Sequence, residues 1–499
     1  NVSLTLYLPR RVEYNTNVCG GSFKTMQKRK SKELKYLLIA VISLALLCGC
    51  QNRESAPATA VSEEPEQETV HYEVEMEQRE GFVGEEAYEQ SFTRPQVNSN
   101  IFVDLMGYAP EDQKYAYFAG SDLAESFYVI DSATGECIFT GKLRKMGNEM
   151  SEGKQIYKGD FSDITEPGVY YIQTAVIGQS YTFRIDPDRY RNQYEELKKE
   201  FLTLTPEEYF GEYDTPQERS ALYYSFQKFA MAYYFFPEAL GEEYEQKLEE
   251  YAQWILLVRE EVLAQREERK RTEARKPNYN EPGEDEKQLV TEDYMFASAA
   301  AAATTILRPY NPQLSSRCLA QAQKAYQDYV KYKLTGDVQY MAAGSLFCAT
   351  GSYTYHAVIK EKYAQQPVAK PGYTELSDDA KLLCDEVLWG NLYYLISPKG
   401  ADMTICDKQM AEMMNLCGEW LDKVPKSAFG LIENREDSLE KAIWLTVADY
   451  TIVSREYRNV CKEQIHSVLH KMEEIGFAHE QKATLLLLLG NLAESEEEE

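Results

Sequence analysis

Between residues 99 and 187 the chain contains short apolar runs separated by turn-forming residues. Examples are Tyr115–Phe118, Phe127–Ile130 and Val169–Ile172, and the last of these directly follows the turn residues Pro167 and Gly168. Apolar runs of this length, bounded by Gly, Pro, Asp and Ser, are typical of β-strands. The pattern predicts an all-β domain over residues 99–187, and the spacing of the strands favours a β-sandwich.

From residue 188 onward the apolar positions follow a helical spacing. Leu248, Tyr251, Ile255 and Val258 recur every three or four residues and define one face of a helix, which we interpret as core. The sequence shows no regular repeat of about 34 residues, so a closed toroid over residues 188–495 is favoured over an open helical array. Further helices are predicted at about 219–236, 293–307, 338–349, 378–396, 404–421, 437–453, 456–472 and 479–493.

Residues 259–290 interrupt the apolar pattern with charges of both signs, from Arg259 through Arg271 to Glu281. Interspersed charges are typical of a solvated surface rather than of a binding arm. The sequence therefore predicts a solvated helix with a loop in this segment.

The beginning of the chain carries an export pattern. A basic stretch at 28–35 leads into the apolar segment Tyr36–Leu47 and then into small residues before Cys50, which resembles the signal of bacterial lipoproteins. The apolar segment has about a dozen residues, whereas a spanning helix needs about 20, so a permanent transmembrane anchor is disfavoured. We expect a signal peptide at 26–50, a lipid on Cys50, and anchoring to the outer face of a bacterial membrane.

Two further predictions concern the segments on either side of this signal. Residues 1–25 precede Met26, and we interpret them as upstream sequence translated in frame. Residues 51–98 are acidic and contain almost no aliphatic run, so they cannot bury enough surface to offset the entropy of ordering. We predict that they form a disordered tether.

Charge and cysteine usage narrow the function classes. The 499 residues include 81 acidic and 53 basic side chains, a net charge of −28, which disfavours nucleic acid as a partner because its phosphates would be repelled. Seven cysteines follow Cys50 without any Cys-x-x-Cys spacing, and most lie in helical apolar patterns, which predicts buried free thiols. The five histidines form no metal-binding motif, so no metal site is predicted.

Several phrases of the predicted sandwich resemble a known module. Val103–Pro110, Gly159–Ile164, Pro167–Tyr171 and Ser180–Ile185 resemble the immunoglobulin-like domain that precedes the catalytic domain in many cellulases of glycoside hydrolase family 9. In the helical part, Leu307–Pro312, Cys318–Tyr326, Met341–Leu346 and Asn434–Tyr450 resemble phrases of that catalytic domain. The resemblance implies an (α/α)6 barrel behind an immunoglobulin-like β-sandwich.

The resemblance also implies hydrolysis of β-1,4-glucans with inversion. Inversion requires a carboxylate base that activates water and a carboxylic acid that protonates the leaving oxygen, roughly 6.5–9.5 Å apart. In this chain Asp214 matches the first aspartate of the family's Asp-Ala-Gly-Asp segment, but Gln217 stands at the base position. An amide cannot accept water's proton near neutral pH. Glu218 becomes a candidate base if the loop is re-routed by one residue, and the alternative is that Asp214 caps a helix and Glu218 is exposed.

The resemblance places the acid near the end of the chain. The family has a His-His-Arg loop that grips sugar hydroxyls, followed by an Asn-Glu pair, whereas here Lys471–Phe477 leads directly to His479 and Glu480. Glu480 is the candidate acid, and its alternative role is a charge favoured in the first turn of a helix. Tyr213, beside Asp214, is a candidate for stacking on a sugar ring. Many members also bind structural calcium, but its loops are not recognisable in this sequence.

Two hypotheses from different classes follow. In the first, the chain is a surface lipoprotein that hydrolyses β-1,4-glucan or a related polysaccharide with impaired activity, using Asp214 or Glu218 on the water side and Glu480 as acid. In the second, it is a non-catalytic relative that binds a glycan or a partner protein at the altered cleft. Gln217 and the missing loop favour impaired or absent hydrolysis.

Overall fold

The computed structural model describes residues 100–498, except 122, 124, 152–153, 176, 212, 273–283, 331–333, 365–373, 376–384, 399, 434, 453 and 470–478. Every described residue lies in one compact unit, Arg94–Glu499. The predictions for the signal peptide, for Cys50 and for the acidic tether therefore lie outside the described residues.

The N-terminal domain is an antiparallel sheet structure. Its path is β1-β2-β5-β4-β3-β6-β7, and β8 also pairs with β6. The long strand β4 pairs with β3 through its first half and with β5 through its second half, so it connects the two faces of the fold. The strands are β1 (Ile101–Phe102), β2 (Tyr115–Ala119), β3 (Ser126–Asp131), β4 (Cys137–Ser151), β5 (Lys154–Asp160), β6 (Gly168–Thr174), β7 (Gly178–Gln179) and β8 (Phe183–Ile185).

Helices make up most of the chain that follows. They are α1 (Arg189–Thr203), α2 (Pro206–Phe210), α3 (Pro216–Phe235), α4 (Pro237–Thr272), α5 (Glu284–Leu307), α6 (Pro312–Val330), α7 (Asp337–Thr350), α8 (Tyr353–Lys362), α9 (Glu386–Leu395), α10 (Met403–Lys423), α11 (Arg435–Ile452), α12 (Arg455–Leu469) and α13 (His479–Glu498). Two short strands, Leu334–Thr335 and Thr374–Glu375, pair in parallel beside them. The predicted immunoglobulin-like sheet domain followed by an all-α domain is confirmed.

The helices form a double ring. Helices α3, α5, α7, α9, α11 and α13 pack side by side as an inner ring, and α1, α4, α6, α8, α10 and α12 pack outside them. The rings of Trp389 on α9 and Trp444 on α11, 5.4 Å apart, close the inner ring. Short connections make each outer helix antiparallel to the inner helix before it, so all inner helices begin at one end of the barrel. We call this end the barrel mouth.

The interior of the ring is filled by side chains and backbone in close contact. Gly344 on α7 faces Gly390 on α9, and a Cβ at Gly344 would lie 2.5 Å from the Gly390 carbonyl oxygen. Glycine is therefore required where these two helices meet. Across the barrel, Gln227 on α3 accepts hydrogen bonds from Ser298 on α5 and Tyr393 on α9. The barrel is consequently a packed core, and ligand access is restricted to its ends.

The charged segment at 259–290 is only partly solvated, so the sequence interpretation is wrong at its first half. Arg259 and Arg266 on α4 pair with Asp293 on α5, and Arg266 also donates to Glu292 at 2.8 Å. Asp293 and Glu292 are buried. The periodicity misleads here because the partners of these arginines lie on the next helix and not within the segment.

A buried polar cluster joins the sheet domain to the barrel, and we call it the interface cluster. His466 on α12 approaches Asp104 through Nδ1 at 2.6 Å and Asp112 through Nε2 at 3.2 Å. Arg189 donates to Asp104 at 2.8 Å, and Lys462 lies 3.0 Å from Asp112. Burial raises the pKa of Asp112, but the contacts with His466 and Lys462 outweigh it and hold this pKa well below its usual range.

The cysteines partly follow the prediction. Within the described part of the chain, Cys318, Cys348, Cys406, Cys417 and Cys461 are buried free thiols, and burial raises the pKa of each. Cys137 is also free but exposed, because it begins the edge half of β4 rather than a helix.

Among the described helices, none combines the length and the apolar character that crossing a membrane requires.

Candidate active site at the barrel mouth

The segment matching the family's base loop ends in a capped helix. Thr215 is the N-cap of α3, and its hydroxyl accepts a hydrogen bond from the Glu218 backbone N–H at 3.2 Å. The Glu218 carboxylate in turn accepts from the Thr215 backbone N–H at 2.8 Å, which completes a capping box. This backbone hydrogen bond lowers the pKa of Glu218. Gln217 is exposed in the first turn of α3.

Arg219 holds the backbone of the loop before α3. Its guanidinium donates to the carbonyl oxygens of Tyr213 at 2.9 Å and Asp214 at 2.6 Å. The same group is anchored on α5 by the buried carboxylate of Glu292, with Nε 2.9 Å from Oε1. A charge-assisted network of this kind fixes backbone position. The loop therefore presents the exposed Asp214 from a rigid frame.

Tyr213 lies on an aromatic row at the mouth. Its ring packs edge-on against Trp254 with centroids 5.3 Å apart, and Trp254 stacks on Phe210 at 5.5 Å and 6°. Burial raises the pKa of Tyr213, which stays a neutral phenol at physiological pH. The half-buried ring is positioned by its neighbours, so it is available as a platform rather than as a proton donor.

Glu480 lies at the start of α13, beside the half-buried His479. His479 Nδ1 is 3.4 Å from Glu480 Oε2 and 3.0 Å from the Ser225 hydroxyl on α3. The imidazole also packs edge-on against Phe210, 5.2 Å away. Burial lowers the pKa of His479 although Glu480 acts in the opposite direction, so the neutral imidazole is favoured. The aromatic row thus connects the Asp214 loop with the start of α13.

The sequence-predicted carboxylates occupy two levels of the barrel. Glu218 is held at Thr215, whereas Glu480 lies near Ser225, ten residues further along the chain. At 1.5 Å per helical residue, the backbone of Thr215 and that of Ser225 are about 15 Å apart along the axis. The Glu480 carboxylate lies 3.4 Å from His479 Nδ1, and among the described residues no hydrogen bond joins it to Glu218 or Asp214.

A deeper cluster was missed by the sequence interpretation, and we call it the mouth cluster. Lys228 on α3 forms an ion pair with Glu440 Oε1 on α11 and donates to the Thr484 hydroxyl at 2.7 Å and the Glu480 carbonyl at 3.2 Å. Tyr224 donates to Glu440 Oε2 at 2.7 Å. A lysine inside the apolar run at 221–236 was the available signal, because a charge on a core face needs a buried partner.

The mouth cluster leaves Glu440 poorly suited to act as a base. Oε1 accepts from Lys228 and Thr484, and Oε2 accepts from Tyr224, whose oxygen accepts from Trp389 Nε1 at 2.7 Å. Both carboxylate oxygens are thus already bonded to donors of the protein, which fixes the group in place. Its direct role is to balance the buried Lys228 charge.

The described residues do not provide the carboxylate cluster expected for the calcium that the resemblance implies. Calcium requires six to eight oxygen ligands, mainly carboxylates and carbonyls. Among the described residues, no three side chains of the types His, Cys, Asp and Glu are grouped so that they could hold a metal ion.

Comparison with known proteins agrees with this architecture. A family model described as cellulase N-terminal ig-like domain matches residues 96–179. The Bacteroides ovatus GH9 structure has a TM-score of 0.56 at 15% identity and covers 80% of this chain and 100% of that chain. This chain therefore shares its fold with that structure. A metagenome-derived endoglucanase of family 9 has a TM-score of 0.53 at 15% identity and covers 74% of this chain and 83% of that chain.

Sequence similarity to a curated endoglucanase is limited to a short part of the chain. Endoglucanase D of Acetivibrio thermocellus is 30% identical over 100 residues, which is 20% of this chain. The matched part spans only 15% of that relative's length. Activity and substrate are therefore matters for proposal, and the roles predicted for Asp214, Glu218, Glu480 and Tyr213 stay predictions.

Proposed function

We propose that this chain is a family 9-type glycan-binding lipoprotein whose barrel mouth holds β-1,4-linked glucan or a related polysaccharide without inverting hydrolysis. The observation that carries the proposal is the capping box at α3, where Gln217 occupies the base position and the Glu218 carboxylate is bound to the Thr215 backbone. A general base works best with a pKa near the operating pH. The pKa of Glu218 is shifted downward, away from that range.

The acid side supports the same proposal. A general acid in a glycosidase needs a raised pKa so that it carries a proton at the working pH. Glu480 is partly open to solvent, with 25% of its side chain exposed. It also lies beside the imidazole of His479, from which its carboxylate can accept a hydrogen bond. Glu480 is therefore not enclosed in the kind of apolar pocket that such an acid occupies.

The glycan is supported by the aromatic row and by the relatives. Tyr213 presents a half-buried ring at the mouth, held edge-on by the buried Trp254, and aromatic faces of this kind pack against sugar rings. The relatives that share the fold or part of the sequence are endoglucanases by name. The proposal includes a lipid on Cys50 and location on the outer face of a bacterial membrane, which rest on the basic and apolar pattern before Cys50.

A second candidate function is retained because two carboxylates do lie at the mouth. Asp214 is exposed on a rigid loop, and Glu480 is connected to that loop through His479, Phe210 and the aromatic row. In this alternative Asp214 activates the water and Glu480 protonates the leaving oxygen. A ligand-induced approach of the two groups would then be required.

The test combines binding and hydrolysis in one set of variants. The purified protein, Asp214→Asn, Glu480→Gln and Tyr213→Ala are followed by affinity electrophoresis and by reducing-sugar release on soluble β-glucans, mannans and xylans. We expect retardation by a β-1,4-glucan without new reducing ends, and weaker retardation for Tyr213→Ala only. Reducing ends that are lost in both Asp214→Asn and Glu480→Gln would establish the second candidate. Absence of retardation on every glycan would contradict glycan binding.

A further inference from the structure

Exposed apolar side chains are concentrated at the end of the barrel opposite the mouth. Each of the five inner helices that lead into an outer helix has one large apolar side chain exposed in its last turn, in the following connection or at the start of the next helix. We call this end the far rim. Its exposed residues are Tyr234 in the last turn of α3, Tyr310 in the turn after α5, Tyr353 at the start of α8, Met403 at the start of α10 and Ile452 at the end of α11.

Tyr310 is exposed but rigidly supported. Its side chain is 48% exposed, and its backbone N–H donates to Leu307 at 3.0 Å in the turn between α5 and α6. Tyr233 packs edge-on beneath it with centroids 6.2 Å apart and stacks on the buried Tyr244 at 9°. The ring is therefore held by two aromatic layers, and little rotamer entropy remains to be lost on binding a ligand.

Tyr353 is supported in a similar way. Gly351 ends α7 at φ 67°, a conformation that favours glycine, and the turn places Tyr353 at the start of α8 with 73% of the side chain exposed. Its ring lies 5.6 Å from His356, which stacks on Tyr394 at 5.9 Å and 21°. The Tyr394 hydroxyl and His356 Nδ1, 3.0 Å apart, fix this second column.

The two tyrosines belong to neighbouring turns. Helices α5 and α7 pack directly on each other, and Arg308 from the first turn donates to the Ala349 carbonyl at the end of α7 at 2.5 Å. Neighbouring helix axes are about 8–10 Å apart, which is the scale of a disaccharide. The first turn also carries Asn311, whose amide donates to Glu249 at 3.0 Å.

We propose that Tyr310 and Tyr353 form a second glycan-binding surface, which takes one neutral polysaccharide chain of the same class as the mouth. This inference rests on the proposed function, because that function names the ligand class. Two supported aromatic rings flanked by the exposed guanidinium of Arg308 and the amide of Asn311 suit a ligand with apolar ring faces and hydroxyl groups. The net charge of −28 disfavours an anionic polymer.

The test uses the purified full-length protein and affinity electrophoresis in gels containing a soluble β-1,4-glucan. The variants are Tyr310→Ala, Tyr353→Ala, the double alanine variant and the double phenylalanine variant. Tyr128→Ala is the matched control, because Tyr128 is an exposed tyrosine on the sheet domain at 38% exposure. Thermal unfolding of each variant verifies that the fold is retained.

We expect the double alanine variant to bind the polymer about tenfold more weakly, from two lost aromatic contacts. The double phenylalanine variant and Tyr128→Ala should retain affinity, because the ring face and not the hydroxyl makes the contact. Unchanged polymer binding in the double alanine variant, with weakened binding in Tyr213→Ala, overturns the second surface and leaves the proposed function intact. If the double variant instead loses only self-association or vesicle binding, the occupant is a protein copy or a membrane and the proposal is wrong. Absence of glucan binding by the unmodified protein overturns both.

Discussion

The interface cluster and the mouth cluster are built from the same kinds of groups but differ in their access to solvent. Around His466, both ring nitrogens face buried carboxylates, and the side chains of Asp104 and Asp112 are completely inaccessible. Around Lys228, the partner Glu440 is 12% exposed, and the nearby Glu480 is 25% exposed. The first cluster joins two domains, whereas the second lies beneath a surface that a ligand can reach.

This difference separates charges that mainly stabilise the fold from charges that lie close to a surface where a ligand can bind. A buried ion pair broken on one side leaves an uncompensated charge that costs several kcal/mol, whereas a partly hydrated partner can relax into water. The interface cluster should therefore dominate stability. Changes at the mouth should cost less and should affect ligand binding more.

The largest effect is expected for Arg189→Met at the interface. The change leaves the Asp104 carboxylate buried beside His466 without its guanidinium partner, and we expect a loss of about 3–5 kcal/mol in the free energy of unfolding. Urea unfolding monitored by circular dichroism measures it. Lys199→Met, an exposed change on the same helix, is the control and should stay within about 0.5 kcal/mol. Equal losses in the two variants would contradict the role of the interface cluster.

A smaller effect is expected for Lys228→Met in the mouth cluster. Glu440 loses its cation but keeps Tyr224, Thr484 and partial hydration, so we expect a loss of about 2–3 kcal/mol. The matched control is Lys482→Met, which removes a partly exposed pair with Glu200 and should cost about 0–1 kcal/mol. A cost for Lys228→Met that equals or exceeds that of Arg189→Met would remove the distinction between the clusters.

Breaking the capping box at α3 should reduce the free energy of unfolding by less than either of these changes. Thr215→Ala removes the hydroxyl that accepts from the Glu218 backbone, and N-cap replacements of this type cost about 1 kcal/mol. Thr205→Ala removes the equivalent group of the capping box at α2 and is the matched control. We expect similar losses and unchanged glucan binding in both variants. A selective loss of reducing-sugar release in Thr215→Ala would indicate that Glu218 acts in catalysis.

The smallest effect is a change in pH dependence at His479. Its folded pKa is lowered, so the folded state binds this proton more weakly than the unfolded chain. The stabilising contribution is complete above the unfolded pKa of about 6.5 and is lost as pH falls through the lower folded pKa. The measurement is the free energy of unfolding as a function of pH, between about pH 4 and 8, where histidine titrates. In His479→Gln, the decrease in this free energy that His479 causes at low pH should disappear. The same pH dependence in the unmodified protein and in His479→Gln would contradict a neutral, half-buried imidazole in the folded state.

Much of the fold could be predicted from the sequence because hydrophobic periodicity reports burial. The stripe containing Leu248, Tyr251, Ile255 and Val258 is buried in α4, as expected. The change from short apolar runs to helical spacing lies near Arg189, where α1 begins. Two phrases of the family resemblance, Leu307–Pro312 and Met341–Leu346, fall at the turn after α5 and inside α7.

The candidate site could be predicted only in part, because its contacts join distant segments. Asp214 and Glu480 were found by position within family phrases, but the contact between His479 and Ser225 spans 254 residues. The pairing of Lys228 with Glu440 spans 212 residues and has no local periodic signal. Arg259 was interpreted as solvated for the same reason, since its partner Asp293 lies on the following helix.

The central claim is that the mouth holds a glycan while no inverting carboxylate pair is assembled. Anomer-resolved proton NMR of a β-1,4-gluco-oligosaccharide incubated with the protein tests it directly, because binding and bond cleavage are observed in one sample. The account predicts broadening of the oligosaccharide signals and no new anomeric signals during prolonged incubation. Early appearance of α-anomeric product signals, abolished in Asp214→Asn and in Glu480→Gln, would contradict it.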